Sequence, residues 1–138
     1  MQELKLLGIP EGTQFVDIGA GTGKPLCHAV TQLKANMAIG IEIEGERWWQ
    51  SVSALPQLLN CREGRRIFLA HADILEVKNL AMFDTVYSFD EGFPPEVKRH
   101  IGKLLRESDI KYVILFSRDQ SHYELSDHFE ICKTIQVQ

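Results

Sequence analysis

Cysteine is scarce in this chain: Cys27, Cys61 and Cys132 are the only three, odd in number, far apart and without a CxxC pair. Such usage excludes a disulfide framework and fits a reducing compartment; no metal site is expected. Long apolar runs are missing as well. No stretch approaches the roughly 18 residues that a membrane span needs, and the first twelve residues, MQELKLLGIPEG, lack the apolar core of a signal peptide. The chain therefore reads as neither secreted nor membrane-bound. Positive charge is in short supply too: 15 Lys and Arg stand against 19 Asp and Glu, a formal net charge of -4, which offers no overall field to a nucleic acid or an acidic membrane. Arg62, Arg65 and Arg66 form the best basic group, and three basic residues around a turn read as a solvated connection. Internal repeats, low-complexity tracts and linkers are absent. What is left is an ordinary globular composition, 44% hydrophobic and 25% charged over 138 residues, a size that predicts a single domain with one substantial core.

The order of the apolar segments carries the fold. Strand-length runs rich in β-branched and aromatic residues fall at Gln14 to Ile18, Met37 to Ile43, Ile67 to Ala70, Phe83 to Phe89 and Lys111 to Ser117, with a weaker sixth near Phe129 to Val137. Amphipathic stretches of helix length lie between them. Lys24 to Lys34 places Leu26, Ala29, Val30 and Leu33 on one face, with Pro25 suited to a first helical turn. Gly45 to Leu59 reads as a helix interrupted or ended near Pro56, because proline disfavours helical geometry in the residue before it. Pro95 to Glu107 reads as a third, with Val97, Ile101, Leu104 and Leu105 inward. Alternating strands and helices in this order predict an α/β fold, doubly wound around a mainly parallel sheet.

The strongest functional signal is Phe15-Val16-Asp17-Ile18-Gly19-Ala20-Gly21-Thr22-Gly23: a strand, a turn with glycine at every second position, then a helix. Glycine tolerates positive φ and has no Cβ to meet a ligand, and the helix that follows offers unpaired N–H donors. A purely structural turn would use the same residues. The second strand ends in Gly40-Ile41-Glu42-Ile43, about 20 residues on, where a carboxylate can accept hydrogen bonds from ribose hydroxyls, or else simply face solvent. The spacing Asp-x-Gly-x-Gly-x-Gly differs from the GxGxxG of dinucleotide-binding turns, which counts against NAD as the ligand. Asp73, in His71-Ala72-Asp73-Ile74 after the third strand, suits either a nucleoside contact or the cap of a short helix, and His71 reads as a satisfied strand-end histidine. After the fourth strand, Tyr87-Ser88-Phe89-Asp90-Glu91-Gly92-Phe93 brings aromatic and acidic side chains together, suited to an amine or cation, although Phe89 and Phe93 serve equally as core anchors. Adjacent Trp48 and Trp49 point to different sides of a helix, so that one of them is a candidate for exposure to a protein partner, although partial burial in a single core is the plainer reading.

The glycine turn resembles motif I of the class I S-adenosylmethionine-dependent methyltransferases. The resemblance implies a Rossmann-like sheet with S-adenosyl-L-methionine as cofactor and S-adenosyl-L-homocysteine as product. It places the turn residues Gly19, Ala20, Gly21 and Gly23 against the cofactor, Asp17 near its methionine part and Glu42 on its ribose. Asp73 would bond the adenine amino group, with Ile43 and Ile74 packed on the ring, and Tyr87, Ser88, Phe89 and Asp90 would shape the site of methyl transfer. Taken with Gly40-Ile41-Glu42 and the segment Tyr87 to Val97, the chain is similar to the disruptor-of-telomeric-silencing family, the histone lysine methyltransferases without a SET domain. Two departures are plain: Tyr87-Ser88-Phe89 stands where the family has Asn-Asn-Phe, and only Met1 to Thr13 precede the first strand. The resemblance implies methyl transfer to a histone lysine, as part of a nucleosome and in the nucleus. A class I enzyme acting on a small molecule or RNA, in the cytoplasm, and a non-catalytic cofactor- or protein-binding domain are the alternatives. The sequence also stops within what would be the first strand of a closing antiparallel hairpin, so either the sheet edge is open or the chain is a fragment or catalytic core of something longer. Acceptor, general base, direct nucleic-acid contact and oligomeric state are not specified by the sequence.

Overall fold

The computed structural model describes residues 7–58 and 64–136. Arg62 of the basic group lies outside the described residues, while Arg65 and Arg66 are exposed. Among the described residues five strands form one parallel sheet: β1 (Gln14–Ile18), β2 (Met37–Glu42), β3 (Ile67–His71), β4 (Thr85–Ser88) and β5 (Tyr112–Leu115), in the spatial order β3-β2-β1-β4-β5. Among these residues three α-helices connect them, α1 (Lys24–Gln32), α2 (Gly45–Leu58) and α3 (Pro95–Arg106). The chain winds outward from β1 to β3, then returns to lay β4 on the other side of β1. A sheet wound this way opens a crevice beyond the carboxyl ends of its central strands, where the strand order reverses.

Alternation along the central strands feeds two layers. Phe15, Ala38 and Tyr87 point to the side covered by Leu26, Ala29 and Val30 of α1. Val16, Ile18, Ile41 and Val86 point to the opposite side, where Ile101, Leu104 and Leu105 of α3 complete a second cluster. Both faces being covered, the central strands read as continuous apolar runs, as parallel strands do. The expected doubly wound, parallel architecture is the one observed.

Differences from the expected elements lie at their ends. The described part of α2 runs through Pro56 to Leu58, so the proline does not end the helix. The fourth strand is shorter than Phe83 to Phe89, since Phe83 closes a turn by donating to the carbonyl of Leu80 and Phe89 lies past the last ladder pair. The weak sixth strand does not form among the described residues of its range: Phe129 packs against the α3-side core and Ile131 is 81% exposed. No described helix is long and apolar enough to cross a membrane.

Candidate functional site

The crevice is built at the ends of β1 and β2. Gly19, Gly21 and Gly23 all adopt positive φ, at 76°, 56° and 83°, a left-handed geometry that glycine accepts without strain. The turn is pinned to β2, because the amides of Gly19 and Ala20 both donate to the carbonyl of Ile41, at 2.8 and 3.1 Å. Gly40 makes this possible: a Cβ there would stand 2.8 Å from both Ala20 and Leu26 side chains. Phe93 closes one side of the turn, its ring 2.9 Å from where a Cβ on Gly19 would be, whereas a Cβ on Gly21 would meet nothing within 4 Å. The turn is therefore packed on the β4 side and open at Gly21. Gly23 then caps α1, whose Pro25 occupies the first turn.

Glu42 ends β2 almost wholly buried. Its carboxylate accepts from the amide of Gly21 at 3.0 Å and from that of Glu44 at 3.4 Å. A carboxylate has about four acceptor positions, so lone pairs remain for a ligand at the open part of the turn. Asp17, in register with Gly40 on β2 and Tyr87 on β4, is also buried, and its Oδ1 has no hydrogen-bond partner. Burial first, and the nearby Glu42 second, push its carboxyl well above the ordinary carboxylate range.

Asp73 caps the short 3-10 turn Ile74–Glu76, accepting from the amide of Leu75 at 2.9 Å. One of the two uses weighed for it is thus in place, through Oδ1. Ile74 is buried in the α3-side core, whereas Ile43, directly after Glu42, is 59% exposed. His71 contacts the Ile43 carbonyl through Nε2 at 3.0 Å and stacks on Trp48, which donates to the Leu69 carbonyl. The histidine is satisfied within the strand end, and of the tryptophan pair it is Trp49 that is exposed.

The four residues expected at the acceptor do not converge. Tyr87 lies in the α1-side core, in ring contact with Phe15 and Phe116. Ser88 is buried and donates to the Ile18 carbonyl at 2.9 Å, tying the end of β4 to the strand that enters the turn. Asp90 is fully buried and accepts from the amides of Phe116 and Ser117, at 2.8 and 2.7 Å, from the Ser117 hydroxyl, and from Tyr123 Oη at 2.7 Å. Burial alone would raise its carboxyl, but these donors outweigh burial and hold it below the usual range. So engaged, Asp90 has no free oxygen for an acceptor. Tyr123 answers in kind, its phenol pushed up by burial and then by its bond to Asp90. Only Phe89 of the four is displayed, 52% exposed with its ring centroid 4.9 Å from that of Phe116. Ser117, Phe116 and Tyr123 escaped sequence reasoning, because nothing local marks them as partners of Asp90.

Among the described residues no group of three or more His, Cys, Asp or Glu could hold a metal ion. Neither a protein-family model nor a curated protein matches the sequence. Solved structures do match in fold. An RNA methyltransferase from Salinibacter ruber in complex with S-adenosyl-L-homocysteine is 16% identical, with a TM-score of 0.72, covering 99% of this chain and 81% of that one. Methyltransferases described as SAM-dependent, from Thiobacillus denitrificans and Geobacter sulfurreducens, each with S-adenosyl-L-homocysteine, are 15% and 16% identical, with TM-scores of 0.63 and coverage of 83% of this chain. The chain spans about half the length of those two proteins, 46% of each, and 40% and 51% of two further matches. At such identities the likeness is one of fold, and with the parallel sheet in its order β3-β2-β1-β4-β5 it establishes that this chain has the Rossmann-like fold of the class I methyltransferases.

Proposed function

We propose that this chain binds S-adenosyl-L-methionine and supports methyl transfer from it, leaving S-adenosyl-L-homocysteine. The observation that carries this reading is Glu42: a buried carboxylate at the end of β2, bonded to the amide of Gly21 where the turn is open. That arrangement suits a ribose, whose two hydroxyls need acceptors at a place where no side chain intrudes. Three further features fit the same ligand. The unpartnered oxygen of Asp17 suits the cationic methionine end, the exposed Ile43 suits an adenine face, and the oxygen of Asp73 not used in its cap suits the adenine amino group. Ile74, being buried in the core, supports Ile41 and the strand end rather than forming the outer wall. The proteins named above that hold S-adenosyl-L-homocysteine share the fold, which supports the reading.

The cofactor, when bound, supplies a methyl group already activated on a sulfonium. The chain's own task is to hold both ends of that molecule, exclude water and align the acceptor. Phe89, displayed on Phe116 beside the strand end that Ser88 ties to Ile18, is the side chain we assign to the acceptor. A histone lysine is the acceptor implied by the family resemblance. A small molecule or an RNA base suits this loop better, because Asp90, the acid placed to attract an ammonium, is spent on Phe116, Ser117 and Tyr123. The likeness over 99% of the chain to an RNA methyltransferase favours the same alternative.

Calorimetric titration with S-adenosyl-L-methionine and, separately, NAD tests the cofactor. Binding of the first alone is expected, and Glu42→Ala is expected to weaken it by about 1–3 kcal/mol, the cost of leaving buried hydroxyls without acceptors. Unchanged affinity in a folded Glu42→Ala variant would remove the ribose assignment, and no binding by the parent chain would remove the function.

A further inference from the structure

Beyond β5 the chain crosses α3 as a strap, residues 117–124, and α3 meets it with three residues spaced four apart, which share one helix face. Lys98 is buried there, its ammonium 5.8 Å from the centroid of the Tyr123 ring and donating to the Asp119 carbonyl at 3.4 Å. Gly102 admits the strap backbone: a Cβ there would stand 2.1 Å from the Tyr123 carbonyl oxygen. Arg106 donates to that same carbonyl and, at 3.3 Å, to the carbonyl of Glu124. Alanine suits a helix interior better than glycine, so position 102 serves the strap rather than the helix.

From the strap a chain of contacts runs back to the glycine turn. The ladder between β4 and β5 ends at Ser88 and Leu115, so the loop after β4 is held by side chains and not by the sheet. The hydroxyl of the fully buried Tyr123 donates to Asp90 Oδ2 at 2.7 Å. The backbone carbonyl of Asp90 accepts from the amide of Phe93 at 3.2 Å, closing a turn in which Gly92 has φ 84°. The Phe93 ring rests on Gly19, 2.9 Å from where a Cβ would be. At the near end of the loop Ser88 donates to the carbonyl of Ile18, the residue before Gly19.

We propose that Tyr123 is a positioning residue for the cofactor: through Asp90 it fixes Phe93 as the β4-side wall of the glycine turn, so that docking of the strap and binding of the ligand favour each other. The inference rests on the cofactor reading above and adds to it a group remote from the crevice. Such coupling is reciprocal: loosening the strap weakens the ligand, and the ligand tightens the strap by the same factor.

The probe is S-adenosyl-L-homocysteine, titrated calorimetrically into the full chain. Tyr123→Phe, shown by its thermal transition to be folded at the working temperature, is expected to bind it about three- to tenfold more weakly. Gly102→Ala displaces the strap while favouring α3, and the same loss is expected from it. In a Phe93→Ala background the effect of Tyr123→Phe is expected to vanish, because the path runs through Phe93; a merely structural defect would weaken binding equally in both backgrounds. Hydrogen exchange at Phe116 and Ser117, whose amides donate to Asp90 Oδ1, reads the strap directly and is expected to slow when the ligand is added to the parent chain. If Tyr123→Phe does not fold, Ser117→Ala, which takes a hydroxyl from the same Asp90 oxygen, replaces it in each comparison. Undiminished affinity in the folded variants would overturn the proposal, as would an equal loss with and without Phe93 or exchange that the ligand leaves unchanged. Failure of the parent chain to bind the ligand at all would instead overturn the cofactor reading, and the proposal with it.

Discussion

Asp17 and Asp90 are both almost completely buried near the carboxyl ends of adjacent strands, yet their surroundings drive them in opposite directions. Asp90 collects two amides and two hydroxyls, and its carboxyl is held below the ordinary range. Asp17 has an oxygen without a partner and an acidic neighbour, and its carboxyl is pushed above that range. The same side chain at the same depth thus does two kinds of work. Where the fold supplies every donor, a buried carboxylate closes structure: Asp90 joins the end of β4 to the end of β5 and to Tyr123, whose carbonyl in turn receives Arg106 of α3. Where the fold withholds a donor, as at Asp17 Oδ1, a buried carboxyl oxygen stays unsatisfied.

The largest way to break this comparison is Asp90→Ala. It leaves the amides of Phe116 and Ser117 and the Tyr123 hydroxyl buried without an acceptor, and we expect a loss of about 3–5 kcal/mol in urea unfolding, the range found when one partner of a buried charged network is removed. Tyr123→Phe takes away a single donor from the same carboxylate. A loss of about 1–1.5 kcal/mol is expected in the same measurement. It should also move the acid transition. A carboxyl held low in the folded state contributes stability that is present above its unfolded value, about 3.9, and is lost as pH falls through the folded value, so weakening its donors brings acid unfolding to higher pH.

The smallest effect has the opposite sign. Because the Asp17 carboxyl is raised in the folded state, the stability linked to its proton is complete below about pH 4 and is lost as pH rises through the folded value. Asp17→Asn removes that loss. Between pH 7 and 8 we expect the free protein to melt roughly 4 °C higher, about 1 kcal/mol for a domain of this size, with the gain fading as pH is lowered toward 4. If the two aspartates behaved alike, with both substitutions destabilising at neutral pH, the contrast would dissolve.

Much of this was legible locally. Phe15 through Gly23 announced a strand, a turn and a helix, and the structure places them so, because a short, largely apolar run, positive φ at glycine and proline in a first turn are properties of a few consecutive residues. The strand that ends at Glu42 was legible for the same reason, and its pairing with β1 follows from the short right-handed connections that such units allow. The loop after β4 was not. Its sequence offers Tyr87, Ser88, Phe89 and Asp90 side by side as equals, whereas the structure sends Tyr87 into one core, ties Ser88 to Ile18, surrounds Asp90 and displays only Phe89. The sixth strand failed on related grounds: an alternating pattern makes a strand only where a neighbouring edge accepts it, and Phe129 was claimed by the core instead.

By itself, then, the sequence determined the parallel α/β order and the open glycine turn facing an acid, since these rest on periodicity and on the backbone freedom of single residues. Only the tertiary structure decided which aspartate is fully bonded and which keeps an unpartnered oxygen. The donors that settle Asp90 come from Ser117 and Tyr123, 27 and 33 residues further along the chain, and the conflict that defines Asp17 comes from Glu42 on another strand. Charge and hydrogen bonding act through space, and no local pattern encodes which distant groups folding will bring within reach.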